Sequence, residues 1–422
     1  MIFPFTAGFW RKSTLVSCVA ILLILISTAC TSGPMPISQQ SSSDSCQSEH
    51  QAGPISTSHG QLVDAAGCKV VLTGVNWFGF ETSSFAPHGL WARNYLDMLK
   101  QMAHLGFNTI RLPYTNQLFD PASKPTGINY QLNPGLKGLQ GLALMDRIIQ
   151  AAGSVGLKIM LDRHDPTADQ RPPLWYNDQT PQSRWEQDWV MLAQHYRNND
   201  TIIGADLANE PHGPATWGDG NPNTDWHMAA QKVGNAILAV NPNWLIIVEG
   251  IEQFNGDAYW WGGNLEGAAK YPVRLSRPNK LVYSAHDYGP ELFMQQWFQV
   301  PKLSDLAHTL PAVWEKHWAF LQKSGVPVFL GEFGGNSTGL DLEGIWQRTL
   351  VYFLKANGMS YTYWAWNPDS GDTGGILQND WKTVNQGKID VLGAYEWPML
   401  GQAASRTGNR SGNAKDVTSA YN

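Results

Sequence analysis

The chain has 422 residues, 43% of them hydrophobic and 15% charged, which suits a folded globular protein and excludes a disordered one. A formal charge of −6 excludes nucleic acid or an anionic lipid surface as the main partner. The 19 tryptophans exceed what a core usually needs and suit a protein that stacks flat apolar faces, such as those of sugar rings.

Residues 1–29 read as an export signal. Arg11-Lys12 supplies the positive charge, and Leu15 to Ile26 is an apolar stretch too short for an ordinary membrane span. Ser27-Thr28-Ala29-Cys30 resembles a bacterial lipobox, with Ser27 where leucine is usual. The mature chain is therefore either lipid-anchored through Cys30 or cleaved and released, and extracytoplasmic in both cases. A lipid anchor is the only membrane contact expected. Export permits disulfides. Cys18 leaves with the signal, so Cys46 and Cys68 are the expected pair; the alternative is that Cys68 is a small buried hydrophobe. No C-x-x-C occurs, which leaves a zinc ribbon or thioredoxin-type site without support.

Residues 30–54 are rich in Ser, Gln and Pro and read as a linker. No repeat of 20–50 residues is evident, which removes solenoids and propellers. Residues 55–400 are read as one catalytic domain. It opens with a β-hairpin, Gln61 to Asp64, a turn at Ala65-Ala66-Gly67, then Cys68 onward, expected to close the bottom of a barrel. Eight apolar runs follow: Val70 to Val75, Thr109 to Pro113, Leu157 to Leu161, Ile202 to Glu210, Leu245 to Glu249, Leu281 to His286, Pro327 to Glu332 and Ser360 to Trp366. Helical spacings of three and four lie between them, as in Leu142, Met145, Ile148, Ile149 and Ala152, or Tyr95, Leu99 and Met102. Strands alternating with helices give a parallel sheet, and eight such units predict an α/β fold, a closed (β/α)8 TIM barrel with an N-terminal β-hairpin. Residues 401–422 read as a flexible tail.

The strand ends of such a barrel converge on one face. Two of them carry glutamates, in Asn209-Glu210-Pro211 and in Gly331-Glu332-Phe333-Gly334. A lone strand-end Glu is usually a cap or half of a salt bridge. Two, with Arg111 available to hold one of them ionised, suit a two-carboxylate mechanism. His164 and His286 are candidate donors to sugar hydroxyls. Tyr288 follows His286 by two, and Trp364 and Trp366 share that spacing. Neither H-E-x-x-H nor a Cys/His cluster is present, so metal catalysis has no motif.

These motifs together resemble the bacterial endo-β-1,4-glucanases of glycoside hydrolase family 5. The resemblance spans roughly residues 58–400. It rests on Arg111-Leu112-Pro113, Leu161-Asp162-Arg163-His164, Asn209-Glu210-Pro211, Ser284-Ala285-His286-Asp287-Tyr288, Gly331-Glu332-Phe333-Gly334 and Trp364-Ala365-Trp366-Asn367-Pro368. It implies a retaining endoglycosidase that acts on cellulose or a related β-glucan, without metal or organic cofactor; a monomer is expected. Glu210 would be the general acid/base and Glu332 the nucleophile. Asn209 would bind the 2-hydroxyl of the cleaved sugar. Arg111 and Tyr288 would support the nucleophile, and His164, His286 and Trp364 would line that sugar's subsite. Further aromatic sugar faces are expected among Trp77, Trp91, Trp175, Trp217, Trp260 and Trp261, with core packing as the alternative for each. Some relatives cross-link the loops after the first and third strands; here Glu81 to Phe85 and Pro166 to Gln170 contain no Cys.

Rival readings are weaker. Gly335-Asn336-Ser337-Thr338-Gly339 matches G-x-S-x-G, but no His follows His317 to complete the order of that triad. A non-catalytic sugar-binding barrel would keep the tryptophans and lose a glutamate. Mannan, xyloglucan or β-1,3-glucan as substrate stays open, because loop shape decides it.

Overall fold

A computed structural model describes Cys46 and residues 53–400. The export signal, most of the linker and the tail read from the sequence lie outside the described residues. Three short strands come first: β1 (Ser56–Ser58), β2 (Gln61–Val63) and β3 (Lys69–Val70), an antiparallel sheet in that order. The expected hairpin is thus β2 and β3, and β1 adds a strand to it. The run Val70 to Val75 divides: its start is β3, and the barrel strand begins at Thr73.

Eight parallel strands close the barrel: β4 (Thr73–Asn76), β5 (Thr109–Thr115), β6 (Lys158–Asp165), β7 (Ile202–Asp206) and β8 (Leu245–Glu249), then, beyond a small ribbon of β9 (Gln253–Phe254) and β10 (Asp257–Ala258), β11 (Leu281–His286), β12 (Val328–Glu332) and β13 (Ser360–Tyr363). Each of the eight apolar runs supplies one of them. They are buried on both faces, which is why they read as continuous rather than alternating runs.

Helices cover the outside. α1 (Tyr95–His104) starts where the Asn94 side chain accepts the Leu96 N–H at 2.9 Å, and it buries Met98, Leu99 and Met102. α2 (Gly141–Ser154) buries Met145, Ile148, Ile149 and Ala152 of the stripe its spacing predicts, with Leu144 added and Leu142 half-buried. Each such side chain contributes about 2 kcal/mol when removed from water. α3 (Gln182–His195), α4 (Trp226–Val240), α5 (Glu266–Lys270), α6 (Leu306–Trp314) and α7 (Phe320–Lys323) continue the ring. α8 (Leu342–Asn357) starts on Asp341, which accepts the Gly344 N–H at 2.8 Å, and stops at Gly358 with φ 62°; α9 (Gln386–Leu392) is the last α-helix of the described residues. The G-x-S-x-G match belongs to this start: the Ser337 hydroxyl donates to Asp341.

The bottom of the barrel is plugged. Ile55, Leu62 and Val70 share one apolar cluster with Leu72, Met160, Ile203, Leu245, Ile247, Val282 and Phe329 of the barrel segment. Cys46 and Cys68 form a disulfide with Cα atoms 5.4 Å apart, which ties residue 46 to the turn before β3. The apolar fill gives way to charge further up the strands. Strand register sets Asn76 beside Arg111, Asp162 beside Asp206, Ser284 beside Glu249, and His286 beside Glu332.

Candidate active site

Those upper residues surround Arg111. Its guanidinium is fully buried and meets four carboxylates: Glu332 Oε1 at 2.6 Å, Asp206 Oδ2 at 2.8 Å, Glu249 Oε1 at 3.0 Å and Asp162 Oδ1 at 3.1 Å. It also donates to Asn76 Oδ1 at 3.0 Å and Asn209 Oδ1 at 2.9 Å. One cation among four acids cannot neutralise them all. Burial pushes Asp162 and Asp206 well above the usual carboxylate range, against the pull of Arg111.

Glu332 behaves oppositely. Burial alone would raise it, but His286 and Arg111, with the Tyr288 hydroxyl, overcome that and hold its carboxyl at about 2. Tyr288 donates to Glu332 Oε2 at 2.6 Å. Glu332 is therefore ionised at neutral pH and fixed at both oxygens.

Glu210 stands opposite. The chain leaves β7 still bonded to its neighbours, with Asn209 N–H donating to the Arg163 carbonyl at 3.1 Å. At Glu210 it turns through φ 49°, a strained conformation for a residue with a Cβ. The Glu210 N–H donates to Glu249 Oε2 at 2.6 Å, and His286 Nδ1 lies 3.0 Å from Glu210 Oε1. A carboxylate oxygen of Glu210 and one of Glu332 lie within 4.8 Å of each other. Retaining enzymes hold their two carboxyls about 5–5.5 Å apart and inverting ones about 6.5–9.5 Å; the close approach here favours the first.

The two carboxyls open into a cleft of about 440 Å³, whose walls include His164, Arg171, Trp260, Trp261, Tyr288 and Trp364. Trp364 stacks with Phe78 (ring centroids 5.4 Å apart, planes at 14°) and with His164 (5.4 Å, 11°). Asp162 Oδ2 sits 2.7 Å from His164 Nδ1, so Nε2 is directed at Asn209, 3.4 Å from its Nδ2. Burial lowers the His164 pKa to about 4, which keeps its ring neutral at pH 7. Trp261 is exposed and stacks on His212 at 3.7 Å and 4°.

Four candidate sugar contacts are corrected. Trp77 is fully buried, with its indole N–H donated to the His88 carbonyl at 3.0 Å, so it is core and not a sugar face. Trp175 and Trp217 are buried likewise. His286 is fully buried and faces only carboxylates, so it reaches no sugar hydroxyl. Arg111, equally buried, acts through Glu332 and Asn209 rather than on substrate.

Sequence reasoning missed Asp162, Asp206 and Glu249 as partners of Arg111. Their signal was present: acids inside or ending apolar strands. It also missed Arg171, which sits on an irregular loop with no motif. Ligand atoms of Glu210, His286 and Glu332, of Asp162, His164 and Glu332, and of Asp162, Asp206 and Glu249 lie within 4.8 Å of one another in each group. Of these acids, Arg111 contacts Asp162, Asp206, Glu249 and Glu332.

Comparison with known proteins agrees with this geometry. The sequence model for cellulase (glycosyl hydrolase family 5) matches residues 63–370. An endoglucanase of Paenibacillus polymyxa is 51% identical over 352 residues, which cover 82% of this chain and 88% of that protein. The major extracellular endoglucanase of Xanthomonas campestris pv. campestris is 43% identical over 340 residues, 79% of this chain and 69% of that one. The solved catalytic domain of that enzyme superposes with a TM-score of 0.75 at 42% identity, over 80% of this chain and 98% of its own. A cellotetraose complex of the endocellulase from Pyrococcus horikoshii gives 0.75 at 40% identity, over 81% and 98%.

Proposed function

Because the chain belongs to glycosyl hydrolase family 5, the cellulase family, we propose that it is an endo-β-1,4-glucanase cutting cellulose or a related β-glucan internally. The family is a retaining one. Glu332 attacks the anomeric carbon while Glu210 protonates the departing oxygen. The glycosyl-enzyme is then hydrolysed by a water that Glu210 deprotonates, and the second inversion restores the β configuration. Arg111 and Tyr288 keep Glu332 ionised and aimed. Asn209, its carbonyl oxygen taken by Arg111, turns its Nδ2 toward the 2-hydroxyl of the cleaved sugar. Trp364 supplies the floor, and Trp260 and Trp261 supply faces further along the cleft. The observation that carries this reading is the close pair of carboxyls, an oxygen of each within 4.8 Å of the other's, one pinned by a buried Arg and a Tyr.

The enzyme is proposed to work outside the cytoplasm, as the sequence of residues 1–30 and the Cys46–Cys68 disulfide suggest. Purified protein offered carboxymethyl-cellulose, lichenan, mannan and xyloglucan should act fastest on the first two. Viscosity should fall well before much reducing sugar appears. Faster turnover of mannan, or sugar release at constant viscosity, would overturn the substrate or the internal cleavage.

A further inference from the structure

Glu249, at the end of β8, is fully buried, and both its oxygens are committed. Oε2 accepts the backbone N–H of Glu210 at 2.6 Å. Oε1 accepts from Arg111 Nη2 at 3.0 Å and faces His286 Nε2 at 3.3 Å. The loop above makes room for it. Gly262 has φ 67°, and a Cβ there would stand 2.5 Å from Glu249 Oε2 and 3.2 Å from Glu210 Cα. The amide that Glu249 holds belongs to the very residue with φ 49°.

We infer that Glu249 is a positioning residue for the acid/base: it fixes the backbone of Glu210 and, across the His286 ring, keeps a proton at the His286–Glu210 contact. The inference rests on the reading of Glu210 as acid/base. The imidazole stands between the two acids, with Nε2 toward Glu249 and Nδ1 3.0 Å from Glu210 Oε1 and 3.6 Å from Glu332 Oε2. A carboxylate beside Nε2 favours an N–H there, and Nδ1 then shares one proton with Glu210. The charged groups facing His286 are Glu249 on β8, Glu210 after β7, Glu332 on β12 and Asp162 on β6, with Arg111 on β5 sharing three of these carboxylates. Burial alone would lower the ring's pKa; Glu249 and Glu332 outweigh it and raise it well above the ordinary value. The proton so held is the one a departing glycosyl oxygen needs.

Glu249→Gln keeps the volume and removes the charge. The measurement is kcat/KM on aryl β-cellobiosides whose phenols are graded in acidity, over pH, with Glu210→Ala in parallel. This ratio reports formation of the glycosyl-enzyme, which needs the acid only when the leaving group is poor. Glu249→Gln should lose about 100-fold on the least acidic phenol and less than about 3-fold on dinitrophenol. Its basic limb should move to lower pH, since a negative charge near the shared proton has gone. An equal loss across the series, or an unmoved limb, would overturn the inference and leave Glu249 a structural residue. If Glu210→Ala itself shows no dependence on the leaving group, the reading of Glu210 fails and takes this one with it. Should Glu249→Gln not fold by circular dichroism, Glu249→Asp is judged by the same slope. It keeps the charge but withdraws it from the Glu210 amide, so leaving-group dependence with an unmoved limb is expected, and a flat series would overturn the inference.

Discussion

Arg111 sets the character of the site at the scale of single residues. A buried guanidinium beside four acids fixes which acid is ionised, because geometry gives Glu332 the shortest contact and the Tyr288 hydroxyl besides. Tyr288→Phe tests that. It removes a charge-assisted bond that lowers the Glu332 pKa, so that pKa rises from about 2. Glu332 is active when ionised, so the acid limb of kcat/KM should move to higher pH, with kcat/KM falling roughly 10–100-fold at the optimum. An unmoved acid limb on a soluble cello-oligosaccharide would show that Tyr288 does not tune the nucleophile. Residue identities alone revealed both glutamates and Tyr288, because each sits at or just past a strand end, and Arg111, because it is a charge inside an apolar strand. They did not reveal that Trp77 faces inward or that His286 is walled in by acids. Both depend on which side of the chain a neighbouring element covers, and one strand's sequence does not carry that.

Close approach of strands is what holds these residues in register at the scale of elements. Gly74 on β4 lies against β5 so tightly that a Cβ would come within 2.2 Å of the Thr109 carbonyl oxygen. Two positions further along the same pair, Asn76 stands beside Arg111. Gly74→Ala should therefore cost about 2 kcal/mol or more in urea unfolding and also lower kcat, by displacing Arg111. A variant of unchanged stability would mean the strands separate without strain. The eight barrel strands were legible because strands buried on both faces are continuous apolar runs closed by polar residues. β1 was not legible: Ser56–Ser58 has no large apolar residue and is a strand only because β2 pairs with it. The break between β3 and β4 was hidden for the opposite reason. Val70 to Val75 reads as one run in which only Thr73 is polar, and pairing with β2 on one side and β5 on the other divides it.

The whole molecule separates stability from chemistry along the barrel axis. The lower end is an apolar plug of strand residues and the small sheet, with the disulfide next to β3. The upper end concentrates acids around one cation, a costly arrangement that the plug and the helical shell hold rigid. The account's central claim is the division of labour between Glu332 and Glu210, and trapping the intermediate tests it most directly. A 2-deoxy-2-fluoro-β-cellobioside with a dinitrophenyl leaving group forms the glycosyl-enzyme and slows its breakdown. Mass spectrometry of the digested protein should find the fluorinated sugar on the peptide containing Glu332, with one label per chain. Label on Glu210 or another residue, or no label while normal substrate yields the α-anomer first, would contradict the account.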